Sequence, residues 1–472
     1  MYRNLLIIFF LPIILVSCID QPASEPMENL PPTTSVWLMP DDTLRPTSSR
    51  QHIHWWGDDP DGFVVGYEWS FDAVEWNWTE RNDSVFLLPL QQDDTTYTFH
   101  VRAIDNDGAR DPDPASLVLP IKNTPPSVEF NEGTTVPDTT FPVATFAWTG
   151  TDPDGDDTIV RYVWALNDTS EWNEISGDRS MLTVREEDGL LLDENNVLYL
   201  KAQDNAGAFS NTAVMPQDPA PDNREREADT TAHWYIREPV GDLLVIDDYN
   251  LTDGAERFYA NVFDTLAGGM FSEHSVWDIR RGRTDGRRGD LVPPFINPTF
   301  IETLRLFKYV YWYSDNGPTY RVAQIALPSF VESGGRVVMS VTFPSGTFDP
   351  RDQGLVDFAP VDSVAANDIG FVRPDTKINP TPEAEEEGYP VLVVDDARTS
   401  VGGVRHLFIE TGAIPLYKVD HDEDPLVAVK SPDNKMFFFG LRLHRMDGNP
   451  DNPETQRFGE LLEKIFIDEF EN

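Results

Sequence analysis

The chain has 472 residues, with 36 Lys and Arg against 81 Asp and Glu, a formal net charge of −45 and a single cysteine. That length exceeds one ordinary core and divides into several domains, and a composition 40% hydrophobic and 11% aromatic is enough to fill them, which excludes a globally disordered chain. So acidic a surface repels phosphate backbones and excludes general nucleic-acid binding, while one cysteine excludes an internal disulfide, a Cys-based zinc site and an iron–sulfur cluster.

The amino terminus carries Arg3, an apolar run from Leu5 to Val16, then Ser17 and Cys18. A basic start, a short apolar stretch and a small residue before the cut make a secretory signal, and about 12 apolar residues are too few to span a bilayer. Leu15-Val16-Ser17-Cys18 resembles the lipobox of bacterial lipoproteins. The resemblance implies a signal peptide over 1–17, lipid attachment at Cys18 and a Pro-, Ser- and Glu-containing tether over 18–34. Acyl chains contribute about 0.8 kcal/mol per buried methylene, so several of them hold a protein on a membrane.

An internal repeat follows. Trp55-Trp56-Gly57-Asp58-Asp59-Pro60-Asp61-Gly62 and Tyr67-Glu68-Trp69 return as Trp148-Thr149-Gly150-Thr151-Asp152-Pro153-Asp154-Gly155 and Tyr162-Val163-Trp164. Further on, the segment ending Ala103-Ile104-Asp105-Asn106-Asp107-Gly108 matches the one ending Ala202-Gln203-Asp204-Asn205-Ala206-Gly207. The alternation in Phe63–Trp69 and Thr96–Ala103 is that of strands with one buried face, and Asp-Pro-Asp-Gly is turn chemistry. The pattern resembles fibronectin type III and related immunoglobulin-like modules of secreted bacterial proteins. It predicts two β-sandwiches, over 35–123 and 124–237, with Trp55, Trp69, Trp148 and Trp164 in their cores and Trp76 and Trp78 better placed to bind. The acidic turns, Asp152, Asp154, Asp156 and Asp157 in one group and Asp105, Asp107, Asp111 and Asp113 in another, read first as Asx-type turns; calcium is the one candidate cofactor, on hard oxygen ligands at alternating positions.

From residue 238 strands alternate with helices. Leu243–Asp248, Ser275–Ile279, Tyr309–Tyr313 and Arg336–Val341 read as strands, and 254–266, 298–306, 320–332 and 454–470 as helices, with Asp253 capping the first helix. This predicts a mainly parallel sheet with helices on both faces over 238–472. The strand Leu243–Asp248, the helix ending Val331-Glu332-Ser333-Gly334-Gly335 and a closing strand Phe437–His444 resemble the class I glutamine amidotransferase-like fold, a flavodoxin-like α/β sandwich.

The resemblance does not extend to chemistry. Active members use a Cys nucleophile, a His and a Glu. Here Cys18 is committed to lipid, no Gly-x-Cys-x-Gly or Gly-x-Ser-x-Gly elbow exists, and after His444 the position of the orienting Glu is Met446, with Asp447 one residue off. His444 is the one weak catalytic candidate, with Ser340, Thr342 or Ser345 as hydroxyl partners. A ligand rim is expected beyond the strand ends, at Asp247, Asp248, Tyr249, Ser314, Asp315, Thr342, Phe343 and His444, with Asp395 and Asp396 ending the strand Val391–Val394. The basic stretch Arg280–Arg288 and the acidic stretch Pro382–Glu387 read as solvated loops.

These readings combine into a lipid-anchored, non-enzymatic binding or scaffold protein of a bacterial cell envelope. Its partners are the membrane and a protein or polysaccharide, and the outer membrane or cell surface is favoured over the inner membrane. The alternative is an envelope hydrolase acting on a glycan or ester at the α/β rim.

Overall fold

The computed structural model describes residues 28–38, 49–88, 94–131, 139–217, 234–279, 298–315, 320–343, 354–395 and 400–471. The signal segment, Cys18, the Asp218–Thr231 stretch, the arginine-rich stretch, Ser345 and Asp396 lie outside these residues. The chain divides into two compact units, Met1–Thr124 with Pro153–Gly155, and Pro125–Asp152 with Asp156–Asn472.

The first unit contains a β-sandwich. One sheet runs Thr33–Leu38, Arg50–Asp58, Asp83–Leu87; the other runs Asn77–Thr79, Val64–Ser70, Asp94–Asp105, Ala115–Lys122. Period-2 alternation sends Ile53 and Trp55 inward and His52, His54 and Trp56 outward. The second unit begins with a sandwich of the same strand order. Met181–Arg185, Val143–Thr151 and Ser127–Phe130 form one sheet; Asn173–Ser176, Ile159–Leu166, Leu198–Asp204 and Ala213–Met215 form the other. The duplication read in the sequence is therefore a duplication of topology, and both modules are immunoglobulin-like sandwiches.

Equivalent aromatics occupy equivalent places. Trp55 meets Tyr67 edge-on at 6.3 Å and Trp148 meets Tyr162 edge-on at 5.3 Å, with both tryptophans buried. The glycine two residues after each tryptophan is there for close approach. A Cβ on Gly57 would lie 2.7 Å from that of Ala103, and one on Gly150 would lie 2.2 Å from the Tyr162 hydroxyl. Half-buried Trp76 is covered by the Arg102 guanidinium at 4.1 Å, and Trp172 of the second copy by the Lys201 ammonium at 4.6 Å. Trp78, on the edge strand Asn77–Thr79, is 57% exposed.

The rest of the second unit is built on a sheet that holds nine strands among the described residues. Ser275–Asp278, Leu243–Asp248, Tyr309–Ser314, Arg336–Ser340 and Met436–Phe439 are parallel neighbours in that order. Beyond Met436–Phe439 the pairing turns antiparallel, through Leu426–Lys430, Ile414–Val419, Lys377–Pro380 and Leu392–Val393. The sheet is thus mixed, where a mainly parallel one was expected. The physical reason lies in the connections: Ile414–Val419, Leu426–Lys430 and Met436–Phe439 are joined by short turns, and a short turn joins only antiparallel neighbours. Gly440 ends the last of these strands, so His444 sits in a 3₁₀ turn, Leu443–Arg445, and not on a strand.

Both faces of the parallel part are buried. Along Tyr309–Ser314, Tyr309, Tyr311 and Tyr313 enter one core with Tyr259 and Phe263 of helix Ala255–Thr265 and Phe458 and Leu462 of helix Phe458–Glu463. Val310 and Trp312 enter the other core, with Phe300 and Leu304 of helix Pro298–Leu304 and Ala323 and Phe330 of helix Tyr320–Glu332. The carboxy-terminal helix is shorter than expected and continues as a π-helical turn over Lys464–Glu469. Pro382–Glu386, expected as loop, is a helical turn capped by Thr381, whose hydroxyl accepts the Ala384 N–H at 3.3 Å.

The second sandwich shares a core with this sheet. Phe141 packs edge-on against Trp277 and Phe307, at 6.0 and 5.3 Å, and the Arg237 guanidinium lies 4.5 Å from its ring. The Thr145 N–H donates to the Thr299 hydroxyl at 2.8 Å, and Arg185 pairs with Glu302 at 2.9 Å. Before entering the α/β sheet the chain returns to the sandwich: Tyr235–Ile236 pairs with Thr139–Thr140, and the Trp234 indole donates to Thr140 at 2.8 Å. Phe141→Ala removes a fully buried ring from this joint and should lower the denaturant-unfolding stability of the second unit by about 3–5 kcal/mol. A loss below about 1 kcal/mol would show that the joint contributes little to folding.

Candidate functional site

The acidic turns come first because their carboxylates are already engaged. Asp105 Oδ1 accepts the N–H groups of Asp107 and Ala109, at 2.9 and 2.8 Å, and Oδ2 accepts from Asn29 at 2.8 Å. Asp204 repeats the pattern with Ala206 and Ala208, at 3.0 and 2.8 Å. The Asp-x-x-Gly motif is therefore a buried Asx turn that closes a hairpin in each copy. The Asn29 bond, with the backbone donors behind it, outweighs burial and holds the Asp105 carboxyl below its ordinary range. Asp111 Oδ1 accepts the Asp113 N–H at 2.9 Å. In the other group Asp156 Oδ1 accepts the Asp152 N–H at 3.0 Å, and Asp154 Oδ2 accepts the Thr124 N–H at 2.7 Å. Asp107, Asp113, Asp156 and Asp157 face solvent.

One acid differs, and sequence reasoning passed over it. Both oxygens of Asp59 are covered, with only the Asp61 backbone N–H close enough to pull its carboxyl down. Burial first, then the charges of Asp61 and Asp105, raise its carboxyl above the ordinary range. In the sequence Asp59 is one turn acid among several.

The strand-end rim divides. Asp247, Asp248, Ser314, Asp315, Thr342 and Phe343 are buried. Asp247 accepts the Tyr249 N–H at 3.0 Å, Asp248 the Trp312 indole N–H at 3.2 Å and Asp315 the Asn250 N–H at 2.8 Å. Ser340 is also buried; its hydroxyl donates to Leu441 O at 2.8 Å. His444 and Asp395 of the expected rim line one open pocket, of ≈ 410 Å³, together with Asp253, Arg257, Phe258, Asn261 and Arg445.

This pocket has a polar centre. Asp253 does not cap the helix that follows it, since Gly254 stands at that position in a left-handed conformation and no side chain caps the first turn. Its Oδ2 instead meets His444 Nε2 at 3.1 Å and accepts the Tyr249 hydroxyl at 2.7 Å. The ring of His444 is held further by edge-on contacts with Tyr249 and Tyr259, at 5.3 and 5.8 Å, and its backbone N–H donates to the Tyr259 hydroxyl at 3.1 Å. Asp447 is not the orienting acid: its carboxylate accepts the Phe458 N–H at 3.0 Å at the start of the last helix, and burial raises it. Arg445 grips Asp395 through two nitrogens, at 2.7 and 2.8 Å.

Burial alone would raise the Asp253 carboxyl, but the hydrogen bond and charge of His444, the Tyr249 hydroxyl and the charge of Arg442 bring it down to about 2. Burial, then the Asp253 bond, pushes the Tyr249 phenol far above its ordinary value, so it remains a donor. His444 and Asp253 are an oriented acid–base pair. Among the described residues the pocket lining contains no serine, threonine or cysteine.

No family model and no curated protein matches the chain. Solved structures match parts of it. The PKD1 domain of Vibrio anguillarum Epp is 18% identical over 20% of this chain and 98% of its own, with a TM-score of 0.16. The fibronectin(III)-like modules of Clostridium thermocellum CbhA are 13% identical over 40% of this chain and 86% of theirs, at 0.17. A two-domain fibronectin type III segment of chicken tenascin is 12% identical over 36% of this chain and 92% of its own, at 0.20. The sandwich assignment rests on the strand pairings described above.

Asp253 ties the pocket to stability with a definite sign. Its folded-state value lies below the ordinary ~3.9, so its contribution is fully present above pH ~4 and is lost as pH falls toward 2. The shift corresponds to about 2 kcal/mol. Wild type should therefore melt above Asp253→Asn at pH 7, and the two curves should converge by pH 2; a constant offset at both pH values would refute the pairing.

Proposed function

We propose that this chain is a lipid-anchored binding or scaffold protein of a bacterial cell envelope. Cys18 takes the lipid, the residues after it form a tether shorter than the expected 18–34, since Asn29 already bonds Asp105 and Thr33 opens the first strand, and two immunoglobulin-like sandwiches precede an α/β domain that presents the His444 pocket. The observation that carries the non-enzymatic reading is the make-up of that pocket. It offers an oriented His–Asp pair, Arg257, Asn261 and an Arg445–Asp395 pair, a set suited to holding polar or anionic groups of a protein or polysaccharide ligand. A Ser-, Thr- or Cys-type hydrolase needs that hydroxyl or thiol within hydrogen-bond reach of its base. Among the described residues, the hydroxyl that meets His444 Nε2 is that of Tyr249 at 3.4 Å, on a phenol held protonated. The likeness to amidotransferase-like, flavodoxin-like folds is part of this proposal, supported by the five parallel strands with helices on both faces.

The oriented His444–Asp253 pair in an open pocket favours a second reading, an envelope hydrolase acting on a glycan or ester at this site. The two readings separate in one experiment. Wild type and His444→Ala are assayed against ester and glycoside substrates; no turnover by either is expected, and turnover lost in His444→Ala would replace the binding reading with the hydrolase. The anchor has its own test. In a bacterial host the protein should fractionate with membranes and Cys18→Ala should move to the soluble fraction; retention of Cys18→Ala in membranes would refute lipid attachment at this residue.

A further inference from the structure

The outward face of the first sandwich's smaller sheet carries a second group of chemistry-bearing residues. His52 and His54 are two apart on the central strand Arg50–Asp58, so both project from the same face. In the neighbouring strand Asp83 lies directly opposite His54, and His52 lies opposite Val85. Register alone therefore brings two imidazoles and one carboxylate together. One ligand atom from each of the three lies within 4.8 Å of the other two. His52 Nε2 meets Asp83 Oδ2 at 2.8 Å, and the two histidine ring centres are 4.2 Å apart. His54 Nε2 is covered and has no hydrogen-bond partner.

We infer that His52, His54 and Asp83 form a binding site for a divalent first-row transition ion of the zinc–copper class. Two imidazoles and a carboxylate on one face, with remaining positions left to water, match the ligand preferences of these ions. Metal–ligand bonds of about 2.0–2.2 Å place tetrahedral ligand atoms about 3.3 Å apart. The His52–Asp83 pair is already closer than that and need only open slightly, while the His54 ring turns inward. Binding replaces the His52–Asp83 hydrogen bond, and the His52 ring proton moves to Nδ1. An unpartnered ring nitrogen beside two ready ligands has no role in the sheet itself, and the ion supplies its missing partner.

The surroundings support the site. The Trp37 ring stacks on His54 at 6.2 Å and 19°, limiting how the imidazole turns. Arg81 Nη2 lies 3.5 Å from Asp83 Oδ1, leaving Oδ2 to face the histidines. Burial, then the neighbouring His52, lowers the His54 imidazole below its ordinary value, against the pull of Asp83. The side chains of His52 and Asp83 are 30% and 28% exposed, so an ion reaches them from solvent. A net charge of −45 raises the local concentration of any cation.

The test uses the full-length chain, stripped with chelator and titrated with Zn²⁺ and separately with Cu²⁺. Wild type should take up one equivalent that raises Tm, and the Cu²⁺ form should show coupling to two imidazole nitrogens by electron paramagnetic resonance. That equivalent should disappear in His54→Ala and weaken at least tenfold in His52→Gln and in Asp83→Asn, with far-UV circular dichroism unchanged in the Gln and Asn variants. These two variants decide the question if His54→Ala does not fold. Uptake and Tm shift equal to wild type in His52→Gln and Asp83→Asn would overturn the site. So would a Tm shift that Ca²⁺ reproduces in wild type and in both variants, since that response belongs to the carboxylate turns. Absence of any high-affinity equivalent in wild type would overturn it as well.

Discussion

A parallel sheet has to be covered on both faces, and that requirement organises the larger unit. The strand Tyr309–Ser314 shows it most directly, sending three tyrosines to one side and Val310 and Trp312 to the other. The tyrosine face is closed by the helix after Leu243–Asp248, and that helix fixes the loop in front of it. Asp253 sits in this loop, so the carboxylate that holds His444 is placed by core packing 191 residues away in sequence. The opposite face is closed partly by Phe141, a residue of the sandwich. One burial requirement thus builds the pocket on one side of the sheet and recruits the preceding module on the other.

The parts legible in the sequence are those whose chemistry is local. The Asp-Pro-Asp-Gly and Asp-x-x-Gly turns return in each copy, and one carboxylate oxygen of Asp105 and of Asp204 is satisfied within four residues of itself. The alternation of strands and helices from 243 to 341 was equally plain, because continuous apolar runs and 3.6-residue periodicity do not depend on partners. What was not legible depends on pairing. Nothing local in Ile414–Val419 or Leu426–Lys430 announces that the sheet reverses direction there. Asp253 stands where a helix cap belongs, and only the fold shows that it serves a histidine instead. His52 and His54 read as ordinary outward positions of a strand until the register sets Asp83 opposite.

Duplication left two modules alike in framework and different in what they expose. The Trp–Tyr edge contact, the close-approach glycine and the cation over an edge tryptophan are shared, and each is tied to packing. The His-x-His pair exists only in the first copy; at the equivalent positions of the corresponding strand the second has Thr145 and Ala147. Differences of this kind mark where a framework has been put to separate uses.

The joint between the second sandwich and the α/β sheet has a mechanical side. Tethers and loops absorb strain by changing backbone angles, whereas an interface made of Phe141, Trp277 and Phe307, a Thr145–Thr299 hydrogen bond and a returning strand at 235–236 has no soft coordinate to yield. Turning that sandwich against the sheet would break these contacts. The aim of the His444 pocket is then set by how the sandwich is gripped, as the bearing of a tool head follows its handle.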